Sequence, residues 1–267
     1  MRTRHVVLAV FGLLGCYGVA RAQPPPQPAQ FQQVTTITVR PGSVTDFEDV
    51  TKKINVARDK TSGAQRVLTY AVTLGGARLT FIQLTPFEKF GDREKWPNGN
   101  DMLTKVYGAT EATRLVKALR DAVANQRNEV FGYQVDQSTN PTLYSAVPAA
   151  FLHFQRSELV PELAGEYASY QRKAKIAQEK AGDRRVIIRR TNTYGTGFTA
   201  LAITRLEKLS DRDATNPNLA DAMRKAFGDA EAAQLQPLAN RAVRSRETLL
   251  LTYRADLSHP KATPLTP

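Results

Sequence analysis

Apolar and polar positions fall along the chain in a pattern of elements that occurs twice. In its first occurrence, residues 34–39 (VTTITV) are rich in β-branched side chains and run into Pro41-Gly42, which predicts a strand with an abrupt stop. Phe47, Val50, Ile54 and Ala57 then recur at helical spacing. Two apolar runs, 67–74 and 77–84, flank Gly75-Gly76, which predicts a tight hairpin because glycine reaches the positive φ such turns demand. Residues 97–107 predict a short helix entered through Asn98 or Asn100 and closed by Gly108. A second helix follows through Leu115, Leu119, Ala122 and Val123, and residues 129–135 finish on a strand. The order is β-α-β-β-α-β, the split βαβ arrangement.

The second occurrence follows the first in register. TPFEKFGDRE (85–94) faces TRLEKLSDRD (204–213) at a separation of 119. KVYGATEA (105–112) faces KAFGDAEA (225–232), and YQVDQS (133–138) faces YRADLS (253–258), at a separation of 120. Tyr167, Tyr170, Ala174 and Ala177 repeat the first helical stripe, while Pro237 predicts a kink or a delayed start in the last helix. Residues 31–138 and 151–258 are therefore two copies of one α+β unit, joined by 139–150. Helices can cover only one face of each sheet, so the other face needs a partner. The tether, with Pro141 and Pro148, keeps the second copy close at hand. The expectation is one pseudo-two-fold body with its sheets facing each other, folding as a monomer.

On this element order, the opening VTTITVRPG (34–42) and the closing Tyr-x-x-Asp-x-Ser strands, the chain resembles the dimeric α/β-barrel (ferredoxin-like) superfamily, and within it the NIPSNAP-like and antibiotic-biosynthesis-monooxygenase-like domains. The resemblance covers about residues 31–138 and 151–258. It implies a single-chain pseudo-dimeric barrel around a central cavity. The superfamily includes cofactor-free oxygenases, haem enzymes, isomerases and members without known activity, so the fold alone assigns no chemistry.

The N-terminus changes the picture of where the protein works. Arg2 and Arg4 precede an uncharged apolar run from Val6 to Val19, and Ala20-Arg21-Ala22 reads as a cleavage site, which predicts a signal peptide over 1–22 and a periplasmic or secreted chain starting at Gln23. Leu13-Leu14-Gly15-Cys16 resembles a lipobox, and lipidation at Cys16 is the alternative. Residues 23–30 form a Pro/Gln-rich linker and 259–267 a tail, both expected to be disordered. Cys16 is the only cysteine, so cleavage after Ala22 removes disulfides, thiolate metal sites and a cysteine nucleophile together.

The formal charge is +12; without Arg2, Arg4 and Arg21 it is +9, from 34 basic and 25 acidic residues. Residues 151–267 hold 19 basic and 13 acidic groups, an excess that makes an anionic envelope surface a possible partner. Aromatic residues are not interleaved with the basic ones, so no nucleic-acid platform is expected.

Candidate chemistry is sparse. No GxSxG, Walker or GxGxxG motif occurs, and neither His153 nor His259 sits in a metal spacing, so no cofactor and no metal is expected. Tyr133 and Tyr253 recur in both copies. Taken at a separation of 119, Tyr70 is replaced by Arg189, Ala71 by Arg190 and Thr73 by Asn192. If that face lines the shared cavity, Tyr70 and Arg189 meet across it and hold an anionic or aromatic ligand; on a solvent face they carry no role. The ligand-cavity candidates are Tyr70, Arg189, Asn192, Tyr133, Tyr253 and His153. The expectation is a small-molecule-binding or structural domain of undetermined catalytic status. The alternatives are a cofactor-independent oxygenase or isomerase and a basic, envelope-associated binding protein.

Overall fold

The computed structural model describes residues 26–213 and 217–261. The predicted leader with Cys16 and the end of the predicted tail lie outside the described residues. The first repeat comprises β1 (Phe31–Val39), α1 (Val44–Asp59), β2 (Leu68–Leu74), β3 (Thr80–Phe87), α2 (Gly99–Tyr107), α3 (Ala109–Ala122) and β4 (Val123–Tyr133). The second comprises β5 (Phe151–Leu159), α4 (Ala164–Lys180), β6 (Ile187–Tyr194), β7 (Phe198–Leu206), α5 (Leu219–Phe227), α6 (Asp229–Ala242) and β8 (Val243–Tyr253). Asn98 and Asn218 cap α2 and α5 by accepting from backbone N–H groups two residues on. Pro237 lies inside α6 without delaying it, since α6 opens at the position equivalent to the start of α3.

The strands close a barrel in the order β1-β3-β2-β8-β5-β7-β6-β4. Each repeat supplies four neighbouring strands, and the antiparallel pairs β2–β8 and β4–β6 weld the two sets. The sheets thus do more than face each other: every edge is paired, which leaves no open template for another chain. Side-chain alternation sorts the strands cleanly. Val34 of β1 joins Tyr70, Ile82, Leu84, Phe131, Phe154, Leu201, Leu249 and Leu251 inside the barrel. Ile37 and Val39 pack outward on Phe47, Phe81 and Ala122 under the helices. Burying one such side chain stabilises the fold by about 1.5–3 kcal/mol.

Two strands begin earlier than their patterns suggest. β4 and β8 start at Val123 and Val243, because residues such as Asn125 and Ser245 are exposed at the upper end of the barrel yet still pair with β1 and β5. The first hairpin is also longer than a Gly-Gly link. Residues 75–79 connect β2 to β3, with Gly75 at φ 87° and Leu79 at φ 65°.

The Tyr-x-x-Asp-x-Ser ends prove to be a clasp between the repeats. Ser138 Oγ accepts the N–H of Arg189 at 2.9 Å, and Ser258 Oγ accepts the N–H of Thr69 at 2.8 Å. Asp136 pairs with Arg172 of α4, and Asp256 with Lys52 of α1. Each repeat therefore sends its last residues beneath the other repeat's first helix. Thr139 bridges to Ile187, and His259 to Val67; both residues are buried, so ordered structure extends past the boundaries placed at 138 and 258.

Candidate functional site

The clasp fixes which residues of the two repeats are equivalent. Thr69 and Arg189 make the same bonds, and Tyr70 and Arg190 lie opposite Tyr253 and Tyr133 in the same register. The separation through β6 is therefore 120, and it drops to 119 only in the shorter β6–β7 turn. Arg190, not Arg189, is the counterpart of Tyr70. A shift of one residue moves a strand side chain to the opposite face, so Tyr70 and Arg189 do not meet.

Tyr70, Tyr133 and Tyr253 point into the lower end of the barrel. The rings of Tyr70 and Tyr253 lie 5.3 Å apart, and the Arg190 guanidinium sits 5.6 Å from the Tyr133 ring centre. Burial pushes the Tyr70 hydroxyl well above its ordinary pKa. The inter-repeat tether straps this end shut. Arg66 donates to the Ala146 carbonyl, and Arg205 donates to those of Ser145 and Val147 while resting on the Tyr144 ring. Asn192 pins the β6–β7 turn, donating to the Gly197 carbonyl and accepting from the Thr199 N–H.

Arg189 and His153 come together elsewhere, between the second sheet and its helices. Their chamber has a volume of about 220 Å³ and is lined by Gln155, Tyr167, Tyr170, Gln171, Arg185, Arg212 and Arg246, among others. Asp211 is its one acidic lining residue. Arg185 is neutralised by Asp183. Arg189 is buried and donates to the Gln137 carbonyl, Thr139 Oγ1 and Gln178 Oε1, but among the described residues no carboxylate pairs with it. Burial lowers its pKa to about 10, which still leaves it charged at neutral pH, and its Nε has no acceptor among the described residues. Burial, reinforced by Arg212 and Arg185, pushes the His153 pKa down, so at pH 7 the imidazole is neutral and free to donate one N–H or accept one.

At the positions of Tyr167, Tyr170, Gln171, Arg189 and Arg246 the first repeat carries Phe47, Val50, Thr51, Thr69 and Gln126, so two of the arginines and both phenol hydroxyls have no counterpart there. The sequence reading found Arg189 and His153 but missed Tyr167, Tyr170, Arg212 and Arg246. A usable signal was present in α4, where two tyrosines occupy stripe positions held by Phe and Val in α1.

No family model matches the chain, and no curated protein does. Solved structures do. An anthrone oxidase-like protein aligns over 89% of this chain and 96% of its own, with a TM-score of 0.54 at 9% identity. A monooxygenase, so described, from Fusobacterium nucleatum aligns over 85% and 93%, with a TM-score of 0.50 at 11% identity. The fold is the dimeric α/β barrel. Here both halves of that barrel come from one chain. A chlorite dismutase variant from Candidatus Nitrospira defluvii, aligned over 85% of this chain and 92% of its own, shares the fold with a TM-score of 0.50 at 9% identity. A haem does not fit this dimeric α/β barrel as it stands. Among the described residues none of the six α-helices carries a histidine or cysteine, and the second-repeat chamber is too small for a macrocycle. Among the described residues no cluster of three metal-ligating side chains occurs.

Proposed function

We propose that this protein binds a compact organic anion, of the size and shape of an aromatic carboxylate, in the helix–sheet chamber of its second repeat. The observation that carries the reading is the buried Arg189, paired with no carboxylate among the described residues, beside Arg212, Arg246 and the neutral imidazole of His153, where the first repeat carries Thr69, Gln126 and Gln33 in place of Arg189, Arg246 and His153. An uncompensated buried cation is costly, and an incoming carboxylate would offset that cost. Tyr167, Tyr170, Ile187 and Leu206 offer the apolar and aromatic walls that hold a ring. Proteins of this fold described as oxidase-like or monooxygenase are 9–11% identical to it, a likeness that conveys architecture alone, so binding is the reading drawn.

Calorimetric titration of the full chain with benzoate tests this. Arg212→Ala and Arg246→Ala spare the interior bonds of Arg189, and each is expected to weaken binding about tenfold, the effect of one lost charged contact. Benzoate binding that is absent, or unchanged in both variants, would refute the assignment. We propose in addition that residues 1–22 are a cleaved leader that directs the protein out of the cytoplasm, on the charged start, apolar run and Ala20-Arg21-Ala22 of the sequence; an intact mass for the exported chain that does not begin at Gln23 would count against that part.

A further inference from the structure

The upper half of the barrel holds a second chamber, on the other side of the sheet from the first. Its volume is about 210 Å³. The floor is apolar, formed by Val34, Ile82, Phe131, Phe154, Leu201 and Leu249, whereas Arg127, Glu129 and Arg156 stand on one wall. Glu129 is only 2% exposed. Arg156 Nη2 donates to its Oε1 at 2.9 Å, and Arg127 Nε approaches Oε2 at 3.1 Å without the alignment of a hydrogen bond. The β6–β7 turn lies over the carboxylate so closely that a Cβ on Gly195 would sit 3.1 Å from Glu129 Cγ.

This charged wall is one-sided. Across the pseudo-two-fold axis Glu129 is replaced by Leu249, Arg156 by Thr36, and Arg127 by Glu247. Leucine and threonine therefore suffice for the fold at those places, and a buried ion pair contributes little that they would not. We infer that the upper barrel chamber is a binding site for a neutral, hydroxyl-bearing single-ring compound. Charge balance argues for neutrality, because the lining holds two arginines and two glutamates, Glu129 and Glu247. Free hydrogen-bonding capacity argues for a hydroxyl. The Glu129 carboxylate retains unused lone pairs, and the buried Arg156 Nε–H has no acceptor among the described residues, so one O–H that donates to the first and accepts from the second satisfies both. Size argues for a single ring, since a dry cavity of about 150 Å³ accommodates benzene. Phe131 and Phe154 supply the aromatic floor.

The site is independent of the second-repeat chamber, and its test separates the two. Titration calorimetry of the full chain at pH 7 with 4-ethylphenol, ethylbenzene and 4-ethylbenzoate is expected to rank 4-ethylphenol first at this site, with ethylbenzene at least about tenfold weaker for want of the hydroxyl. Val72→Phe, which projects a ring into the upper chamber, is expected to abolish 4-ethylphenol binding and leave benzoate binding intact. Arg212→Ala and Arg246→Ala are expected to weaken benzoate binding about tenfold and leave 4-ethylphenol binding intact. The inference is overturned if 4-ethylphenol does not bind at millimolar concentration, if ethylbenzene binds as well as the phenol, or if Val72→Phe leaves phenol binding unchanged. The probe ranking on the unmodified chain decides the matter even where the variant fails to fold.

Discussion

His153 and His259 are buried or half-buried imidazoles whose pKa values are both pushed down, in each case chiefly by burial. For His153 the Arg212 and Arg185 charges add to that push. At His259 the Asp59 carboxylate, 3.0 Å from Nδ1, opposes it without winning, because that carboxylate is largely exposed and screened. The unfolded chain therefore takes up protons near pH 6.5 that the folded chain refuses. Stability is full above that pH, declines as pH falls below it, and levels off below the folded-state values, by at most about 1.4 kcal/mol per pH unit for each histidine. Asp121 and Asp256, whose carboxyls hydrogen bonds from Lys117 and Arg254 hold below their ordinary range, act only at more acid pH. Urea unfolding at pH 7.5 and 5.5 is expected to show a lower midpoint at pH 5.5 and a smaller difference in the His153→Gln, His259→Gln double variant. Equal midpoints in the parent chain would contradict this. At this scale the sequence identified His153 as a candidate but could not weigh it, because the arginines that depress it come from β7's exit and the α4–β6 connection.

Strand ends and strand register show what a repeat can and cannot tell. The recurrence of Tyr-x-x-Asp-x-Ser was plain in the chain. What pattern alone did not reveal is that each serine serves the other repeat. Ser138→Ala and Ser258→Ala each leave a buried backbone N–H, that of Arg189 or Thr69, without its acceptor, which costs about 1–3 kcal/mol. Chemical denaturation is expected to show losses of similar size for the two variants, since the two bonds are equivalent. A loss confined to one would argue against a symmetric clasp. Register was harder. The two stretches 67–74 and 186–193 align well at a separation of 119, yet hydrogen bonding places the missing residue after β6, in the turn at 195–197. Period-2 patterning gave little warning, because Arg189 and Arg190 are both buried and both polar, one under α4 and one inside the barrel.

As a whole, the molecule is a duplicated unit whose copies have diverged in what they enclose. The α+β class and the union of two like sheets in one body were legible because the order of elements follows from periodicity and from the repeated sequence stretches. The chambers were not legible, because each is built from side chains brought together by pairing across the barrel or by a helix crossing the sheet. Fold preservation accounts for the apolar layer of the first repeat. It does not account for Arg185, Arg189 and Arg246, two tyrosines and a histidine around the corresponding space of the second, where the first repeat has Gln65, Thr69 and Gln126 in place of the arginines. The direct test is to locate a heavy-atom ligand. A crystal of the full chain soaked with 4-bromobenzoate is expected to give an anomalous bromine peak in the second-repeat chamber, with the carboxylate on Arg189, Arg212 or Arg246, and none at the equivalent place beside Phe47 and Val50. A well-occupied peak at the first repeat or in the barrel, with the second-repeat chamber empty, would contradict the account.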